Sequence, residues 1–133
     1  MEIQKMSNHN ENNPSVMRVA LGVVSADTVF QLFKCNRPIY FAGVHVLNGA
    51  NIAQDDTDYV IFTLKKGTTT IASFSTKATG GDGALVADTW QALTVVAAEA
   101  KALNDEVITF EVDVEGGGAL DADALLALHY YGG

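Results

Sequence analysis

The segment EVITFEVDVEG (106–116) alternates apolar and polar residues more regularly than any other part of this 133-residue chain. The apolar positions, every second residue, are Ile108, Phe110, Val112 and Val114. Successive side chains of a β-strand point to opposite faces of its sheet, so the pattern predicts a strand with one face in a core and the other in water. The backbone N–H and C=O groups of such a strand need partners, and the rest of the chain has to supply further strands.

Seven other segments have the composition of strands, with β-branched and aromatic residues between Gly, Asn and Asp loops. They are 16–24, 28–34, 37–47, 59–66, 68–76, 85–96 and 124–131. Lys66-Gly67 predicts a tight turn that joins the fourth and fifth segments into a hairpin. Eight strands at this spacing predict an all-β fold, a two-sheet sandwich whose expected form is an eight-stranded jelly roll.

The segment WQALTVVAAEAKAL (90–103) fits two kinds of secondary structure. Apolar residues at helical spacing are Trp90, Leu93, Ala97, Ala100 and Leu103. Ala-Glu-Ala-Lys also favours a helix, whereas the β-branched Thr94-Val95-Val96 favours a strand. We therefore expect a strand to about residue 96, followed by one or two helical turns.

The first fifteen residues, MEIQKMSNHNENNPS, have little apolar content and no periodicity. We expect a flexible N-terminal arm over 1–15 and a single β-sandwich domain over 16–133. Met1, Ile3 and Met6 are isolated apolar residues within this polar arm. A segment of that kind can become ordered on a partner, so these three residues are the candidate contacts of the arm. The alternative is a frayed terminus that touches nothing.

Acidic residues outnumber basic residues by 16 to 8, which gives a net charge of −8. The imbalance is local, because residues 78–133 contain ten acids and one base, Lys101. This charge disfavours nucleic acid and anionic membranes as partners. No apolar run approaches the roughly 18 residues of a membrane span. Since a lone sandwich has sheet edges to cover, we expect a homotrimer with its ten C-terminal acids away from the three-fold axis.

The residues that could carry catalysis or bind a metal are few and scattered. His45 and His129 lie in predicted strands without a second ligand at metal spacing, so a solvent-facing or core histidine is the expected role of each. Asp55, Asp56 and Asp58 could supply oxygen ligands to calcium, but aspartate is also a common turn former and a loop role is favoured. Cys35 is the only cysteine and has no activating base nearby in sequence.

Two glycine clusters, GGDG (80–83) and GGG (116–118), precede strands, whereas phosphate-binding loops open helices. Neither therefore predicts a phosphate site. The sequence accordingly predicts no catalytic residue, no cofactor and no metal, and we expect a protein that is not an enzyme.

From residue 37 onward, about 95 residues carry a series of motifs in a fixed order. They are GVHVLNGANIAQDDTDYVIFTL (43–64), TTTIASFSTKATGGDG (68–83), TWQALTVV (89–96), VITFEV (107–112) and LLALHYY (125–131). Together they resemble a recurrent type of phage-encoded virion protein. The chain departs from this type at Asn104-Asp105, where relatives often have Gly-Asp, which should alter only a turn.

Many proteins of that type are capsid decoration, or cement, proteins, which look like trimeric jelly rolls seated on the major capsid protein. The resemblance implies a bacteriophage structural protein on the capsid surface of the virion, with the major capsid protein as partner. Similar sandwiches also occur in head fibres and tails, so a carbohydrate- or receptor-binding module is the alternative. That role needs an exposed aromatic platform, for which the candidates are Tyr59, Trp90, Tyr130 and Tyr131.

Overall fold

The structure is a computed structural model that describes residues 14–132. Ten strands run through this part of the chain, and a single 3₁₀ turn spans Ala97–Glu99. The strands are β1 (Ser15–Ala20), β2 (Thr28–Lys34), β3 (Ile39–Leu47), β4 (Tyr59–Lys66), β5 (Thr69–Ser75), β6 (Gln91–Ala92), β7 (Thr94–Val95), β8 (Lys101–Ala102), β9 (Val107–Glu115) and β10 (Leu125–Gly132).

The strands form two five-stranded antiparallel sheets that pack face to face. Sheet I has the order β1-β10-β3-β6, with β8 also paired to β3, and sheet II has the order β2-β9-β4-β5-β7. The first strand thus lies beside the last in one sheet, and the second lies beside the penultimate strand in the other. This nested pairing is the jelly-roll arrangement, and it confirms the predicted sandwich.

The inner faces of the two sheets meet in one apolar core. Val60, Phe62 and Leu64 of β4 are fully buried, as their shared face predicts, and the Phe62 ring stacks on that of Phe110 at 6.0 Å between centroids. Burial of a phenylalanine side chain of this kind stabilises the fold by about 1.5–3 kcal/mol. Thr109 and Glu111 lie on the outer side of β9, so the alternation seen in sequence is the alternation of the sheet.

The predicted hairpin is confirmed. Strands β4 and β5 pair in antiparallel register up to Lys66 and Thr69. Gly67 has φ of +59°, which an L side chain rarely adopts. The predicted strand 16–24 is shorter than expected, because β1 ends at Ala20 and Val24 returns only as an isolated bridge to Leu120.

The predicted eight strands need a correction at residues 89–103, where one predicted strand is replaced by three short ones. This segment crosses between the sheets: β6 and β8 pair with β3 of sheet I, whereas β7 pairs with β5 of sheet II. Leu93 lies buried between the two sheets and donates its N–H to the Val44 carbonyl at 2.8 Å. The 3₁₀ turn Ala97–Glu99 lies within the predicted one or two helical turns, and it ends there because the next residues, β8, pair with β3.

Met1, Ile3 and Met6 lie outside the described residues. The first strand begins at Ser15, the last residue of the predicted arm. No helix within residues 14–132 is long and apolar enough to cross a membrane.

Candidate functional site

The outer face of sheet I has an unusual chemistry for so acidic a chain. None of its five strands contains an aspartate or a glutamate. We call the outward side chains of β1, β3 and β10 the acid-free face; its main members are Val16, Arg18, Tyr40, His45, Ala127, His129 and Tyr131. A surface that has exposed apolar and aromatic groups and no carboxylates has the composition found at the centre of protein interfaces.

Strand pairing places these side chains in rows across the sheet. Arg18 of β1 lies opposite Ala127 of β10, which in turn lies opposite His45 of β3. In the next row His129 lies opposite Val16 on one side and Gly43 on the other. The histidines, 84 positions apart in sequence, therefore become diagonal neighbours on one face.

Between these rows lies a cavity of about 310 Å³, which we call the anchor cleft. It is lined by Arg18, His45, Trp90, Ala127 and His129. Ala127 is only 3% exposed although it stands outside the sandwich core, because the larger side chains around the cleft cover it. The small methyl group of Ala127 leaves the space that forms the cleft.

The two histidine rings meet edge to face, with their centroids 5.0 Å apart. His45 Nδ1 is buried and has no hydrogen-bond partner. Burial lowers the pKa of His45, and the nearby charge of His129 lowers it further. A Cβ atom on Gly43 would lie 3.2 Å from Cε1 of His45, so the glycine provides the room that this ring occupies.

The opposite wall of the anchor cleft is formed by Arg18 and Trp90. The Arg18 guanidinium carbon lies 5.9 Å from the centre of the indole ring, within the range of a cation–π contact. Trp90 remains 38% exposed. The polar groups around the cleft are thus a guanidinium, an indole N–H and two imidazoles, a set that can donate hydrogen bonds to an anion.

The outer face of sheet II is different. Lys65 Nζ and Glu111 Oε1 form an ion pair of 3.0 Å across β4 and β9. Desolvation and the neighbouring carboxylates of Asp27, Glu111 and Glu115 raise the pKa of Asp113, although Lys65 opposes them. Negative charge is therefore concentrated on this side of the sandwich.

The loop with Asp55, Asp56 and Asp58 is held by its own backbone. Asp55 Oδ1 accepts hydrogen bonds from the N–H groups of Thr57 and Asp58, each at 2.7 Å. Asp56 accepts from the N–H and the hydroxyl of Thr79 at 2.7 and 2.8 Å. These hydrogen bonds lower the pKa of Asp55 and Asp56.

The third carboxylate of this loop, Asp58, accepts a hydrogen bond from the N–H of Gly117 at 2.6 Å. The triple glycine 116–118 thus packs on the aspartate loop. A cavity of about 300 Å³ lies between the two loops, lined in part by Asp55, Asp58 and Gly117. Within residues 14–132 no three His, Cys, Asp or Glu side chains are grouped as metal ligands.

Cys35 is buried in the core, and its burial, followed by the charge of Glu106, raises the pKa of the thiol. The side chain therefore packs as a small apolar group. The aromatic candidates for a sugar platform do not form one surface. Tyr59 lies on sheet II beneath Lys77, with the ammonium 5.5 Å from the ring centre, and Tyr130 packs against the core. Trp90 and Tyr131 are near the acid-free face, where Tyr131 lies 6.5 Å from Tyr40.

Sequence reasoning missed the anchor cleft. The sequence predicted a separate role for His45 and for His129. It placed Trp90 on a helix face or on an aromatic platform for a sugar. One signal was available, because in strands 37–47 and 124–131 both histidines alternate with core residues and so point outward. Only the register of β10 against β3 brings them within contact distance.

No family model matches the chain. No curated protein matches it. Among solved structures, the chain is similar to one from the structure of infectious bursal disease virus, Gx strain, with a TM-score of 0.32 and 13% sequence identity. The match covers 87% of this chain and 33% of the viral chain, so this chain spans about a third of that protein's length.

Proposed function

We propose that this protein is a non-enzymatic virion structural protein of a bacteriophage, a decoration or cement protein that binds the outside of the major capsid protein shell and stabilises it. The observation that carries the proposal is the two-sided sandwich. One outer face is free of carboxylates and presents aromatic and apolar groups, whereas the other carries acidic residues and an ion pair. A molecule that lies on a shell needs one face for contact and one for water.

The ordered series of motifs that resembles phage virion proteins supports the same function. In the fold those motifs are structural. The Asn-Gly-Ala-Asn loop and the aspartates after it join β3 to β4, and the glycine loop 116–118 packs on that connection. The motifs that resemble phage virion proteins are therefore the loops and strands that build the jelly roll.

The mechanism that we propose is thermodynamic. A protein that binds the assembled shell and not its free subunits stabilises the shell by mass action. A standard interface buries about 800 Å² on each partner. The acid-free face, three strands about 4.8 Å apart and roughly six residues long, covers roughly 300 Å². The remaining area would come from the N-terminal arm, with Met1, Ile3 and Met6 as its contacts, and from sheet edges.

We further propose that the protein is a homotrimer. Sheet I ends at β1 and sheet II ends at β2, and these edge strands have unpaired backbone groups that closed assembly would cover. The proposed partners are the major capsid protein and further copies of this chain, with neither nucleic acid nor membrane.

Co-sedimentation tests the decoration function. The purified protein is mixed with empty capsids of the phage that encodes it, the capsids are pelleted, and their melting temperature is measured with and without the protein. We expect saturable binding and a higher melting temperature of the shell. A protein that stays in the supernatant at micromolar concentration would contradict the function.

The second candidate is a carbohydrate- or receptor-binding module of a head fibre or tail. It is favoured by one observation, the exposed indole of Trp90 beside the anchor cleft. Arg18 lies over that ring, however, so a sugar would have to stack on the free side of the indole. A glycan array distinguishes the two: specific glycan binding that Trp90→Ala removes would favour this candidate.

A further inference from the structure

We propose that the protein docks on the shell through its acid-free face, and that the anchor cleft receives a carboxylate side chain of the capsid protein. The inference rests on the proposed function and adds to it the contact surface and the chemistry of the partner. The cleft is formed by Arg18, His45, Trp90, Ala127 and His129.

The hydrogen-bond donors of the anchor cleft suit a carboxylate. Arg18 is a fixed cation with five N–H donors, and its fork geometry matches a carboxylate. The nearest strands contribute no negative charge, because β1, β3, β6 and β10 contain no acidic residue. His45 Nδ1 is buried without a partner, a state that costs free energy until a polar group reaches the cleft or the ring turns toward one.

The exposed apolar and aromatic residues around the anchor cleft favour a protein as the partner. Val16 and Tyr40 are each 48% exposed on the same face, and Tyr40 and Tyr131 form an aromatic pair at its far end. Arginine, tryptophan and tyrosine are the residues that dominate binding energy at protein interfaces. A small anion alone would leave this apolar area in water.

The position of β1 favours the capsid as the occupant of the face. β1 is the edge strand of sheet I, and Ser15, its first residue, pairs with Tyr130 of β10. The arm that we expect to contact the capsid therefore joins the sandwich at the border of the acid-free face. Both contacts can form at once when the face lies on the shell.

A second copy of this chain fits the face less well. Its densest carboxylates, Glu111, Asp113 and Glu115, belong to β9 on the opposite side of the sandwich. Contact between opposite faces stacks successive copies along a line, which extends as an open filament and does not close into a ring. The shell is therefore the occupant to which the proposal commits.

The test measures binding of the full-length protein to empty capsids, with three variants. Arg18→Ala removes the fixed cation of the cleft, and Ala127→Leu fills the cleft without changing a charge. Lys65→Ala is the matched control, because it also removes one cation but from the outer face of sheet II. Melting temperature and light scattering of each variant report its folding and its oligomeric state.

We expect wild type and Lys65→Ala to bind with equal affinity, and Arg18→Ala and Ala127→Leu to bind at least about tenfold more weakly. Unchanged binding of Arg18→Ala would overturn the inference and leave the decoration function intact. If Ala127→Leu melts at a lower temperature than wild type, the binding of Arg18→Ala alone tests the inference. A variant that falls from an oligomer to a monomer would assign the face to contacts between copies, which also overturns the inference. If wild type itself does not bind capsids, the decoration function fails.

Discussion

The two outer faces of this sandwich are built on the same inner pattern and differ in what they show to solvent. In β9 of sheet II, buried residues alternate with Thr109, Glu111 and Asp113. In β10 of sheet I, inward-facing residues alternate with Ala127, His129 and Tyr131, of which Ala127 is itself buried. The fold needs only the inward half of each pattern, so the outward half is free to differ, with carboxylates on one sheet and none on the other.

Charge strengthens this contrast. The chain carries a net charge of −8, yet the strands of sheet I contain only Arg18 and Lys101 as charged residues. On sheet II the pKa of Asp113 is raised first by desolvation and then by repulsion from the carboxylates of Asp27, Glu111 and Glu115. The acid-free face is thus the side on which a partner meets least repulsion.

The largest effect is expected in the core that both faces share. Phe110→Ala removes the ring that stacks on Phe62 at 6.0 Å and leaves a cavity between the sheets. We expect a loss of about 3–5 kcal/mol in the free energy of unfolding, measured by urea titration. Replacement of the next residue, Glu111→Ala, loses an outer-face ion pair and should cost about 1 kcal/mol or less. Equal losses would mean that inner and outer faces are not energetically distinct.

The next largest effect is expected on capsid binding, when the same substitution is made on each of the two outer faces. Val16 of β1 and Val29 of β2 are exposed valines on the edge strands of opposite sheets, 48% and 56% accessible. Val16→Glu places a carboxylate on the acid-free face and should weaken capsid binding about tenfold, which is about 1.4 kcal/mol. Val29→Glu adds the same charge to sheet II and should leave binding unchanged. If both variants bind alike in co-sedimentation, the two faces do not differ in function.

A smaller effect on binding is expected from the arm. Because β1 begins at Ser15, deletion of residues 1–13 leaves the strand whole. We expect an unchanged melting temperature and several-fold weaker co-sedimentation, since the extended arm could reach across roughly 45 Å to a neighbouring subunit. Replacement of Met1, Ile3 and Met6 by serine in the full chain tests the same contacts. If the shortened protein binds as tightly as the full chain, the acid-free face and the sheet edges carry the whole contact.

The smallest effect is a change in stability from the outer face of sheet II. The pKa of Asp113 is raised in the folded protein, so the folded state holds this proton more tightly than the unfolded state. The ionised side chain therefore destabilises the fold at neutral pH, and the penalty disappears as pH falls below the unfolded pKa of about 3.9. Asp113 is half-buried at the surface of β9, and solvent still screens the charges around it, so Asp113→Asn should gain about 0.5 kcal/mol or less at pH 7. Urea unfolding at pH 7 and below pH 3 checks this, and a gain that persists in acid would exclude the charge effect.

Local patterns were sufficient to predict most of the fold. The alternation in 107–115 and the apolar face of Val60, Phe62 and Leu64 correspond to buried positions in the structure. The predicted helical turn after residue 96 is present as the 3₁₀ turn Ala97–Glu99, but the helix does not continue over Lys101–Ala102, where the backbone pairs with β3 instead. Tertiary hydrogen bonds outweighed a propensity worth a few tenths of a kcal/mol per residue.

The sequence by itself determined the jelly-roll class, the single small core and the acidic character of the C-terminal half, because alternation and charge are properties of neighbouring residues. The anchor cleft was decided only by the tertiary structure. Arg18, His45, Trp90 and His129 come from four separate segments, and no local pattern relates them. Arg18, His45 and His129 meet because β10 pairs with β1 on one side and with β3 on the other, and Trp90 joins them because β6 pairs with β3. A shift of one residue in the register of β1 or of β3 against β10 would send Arg18 or His45 to the opposite face of the sheet.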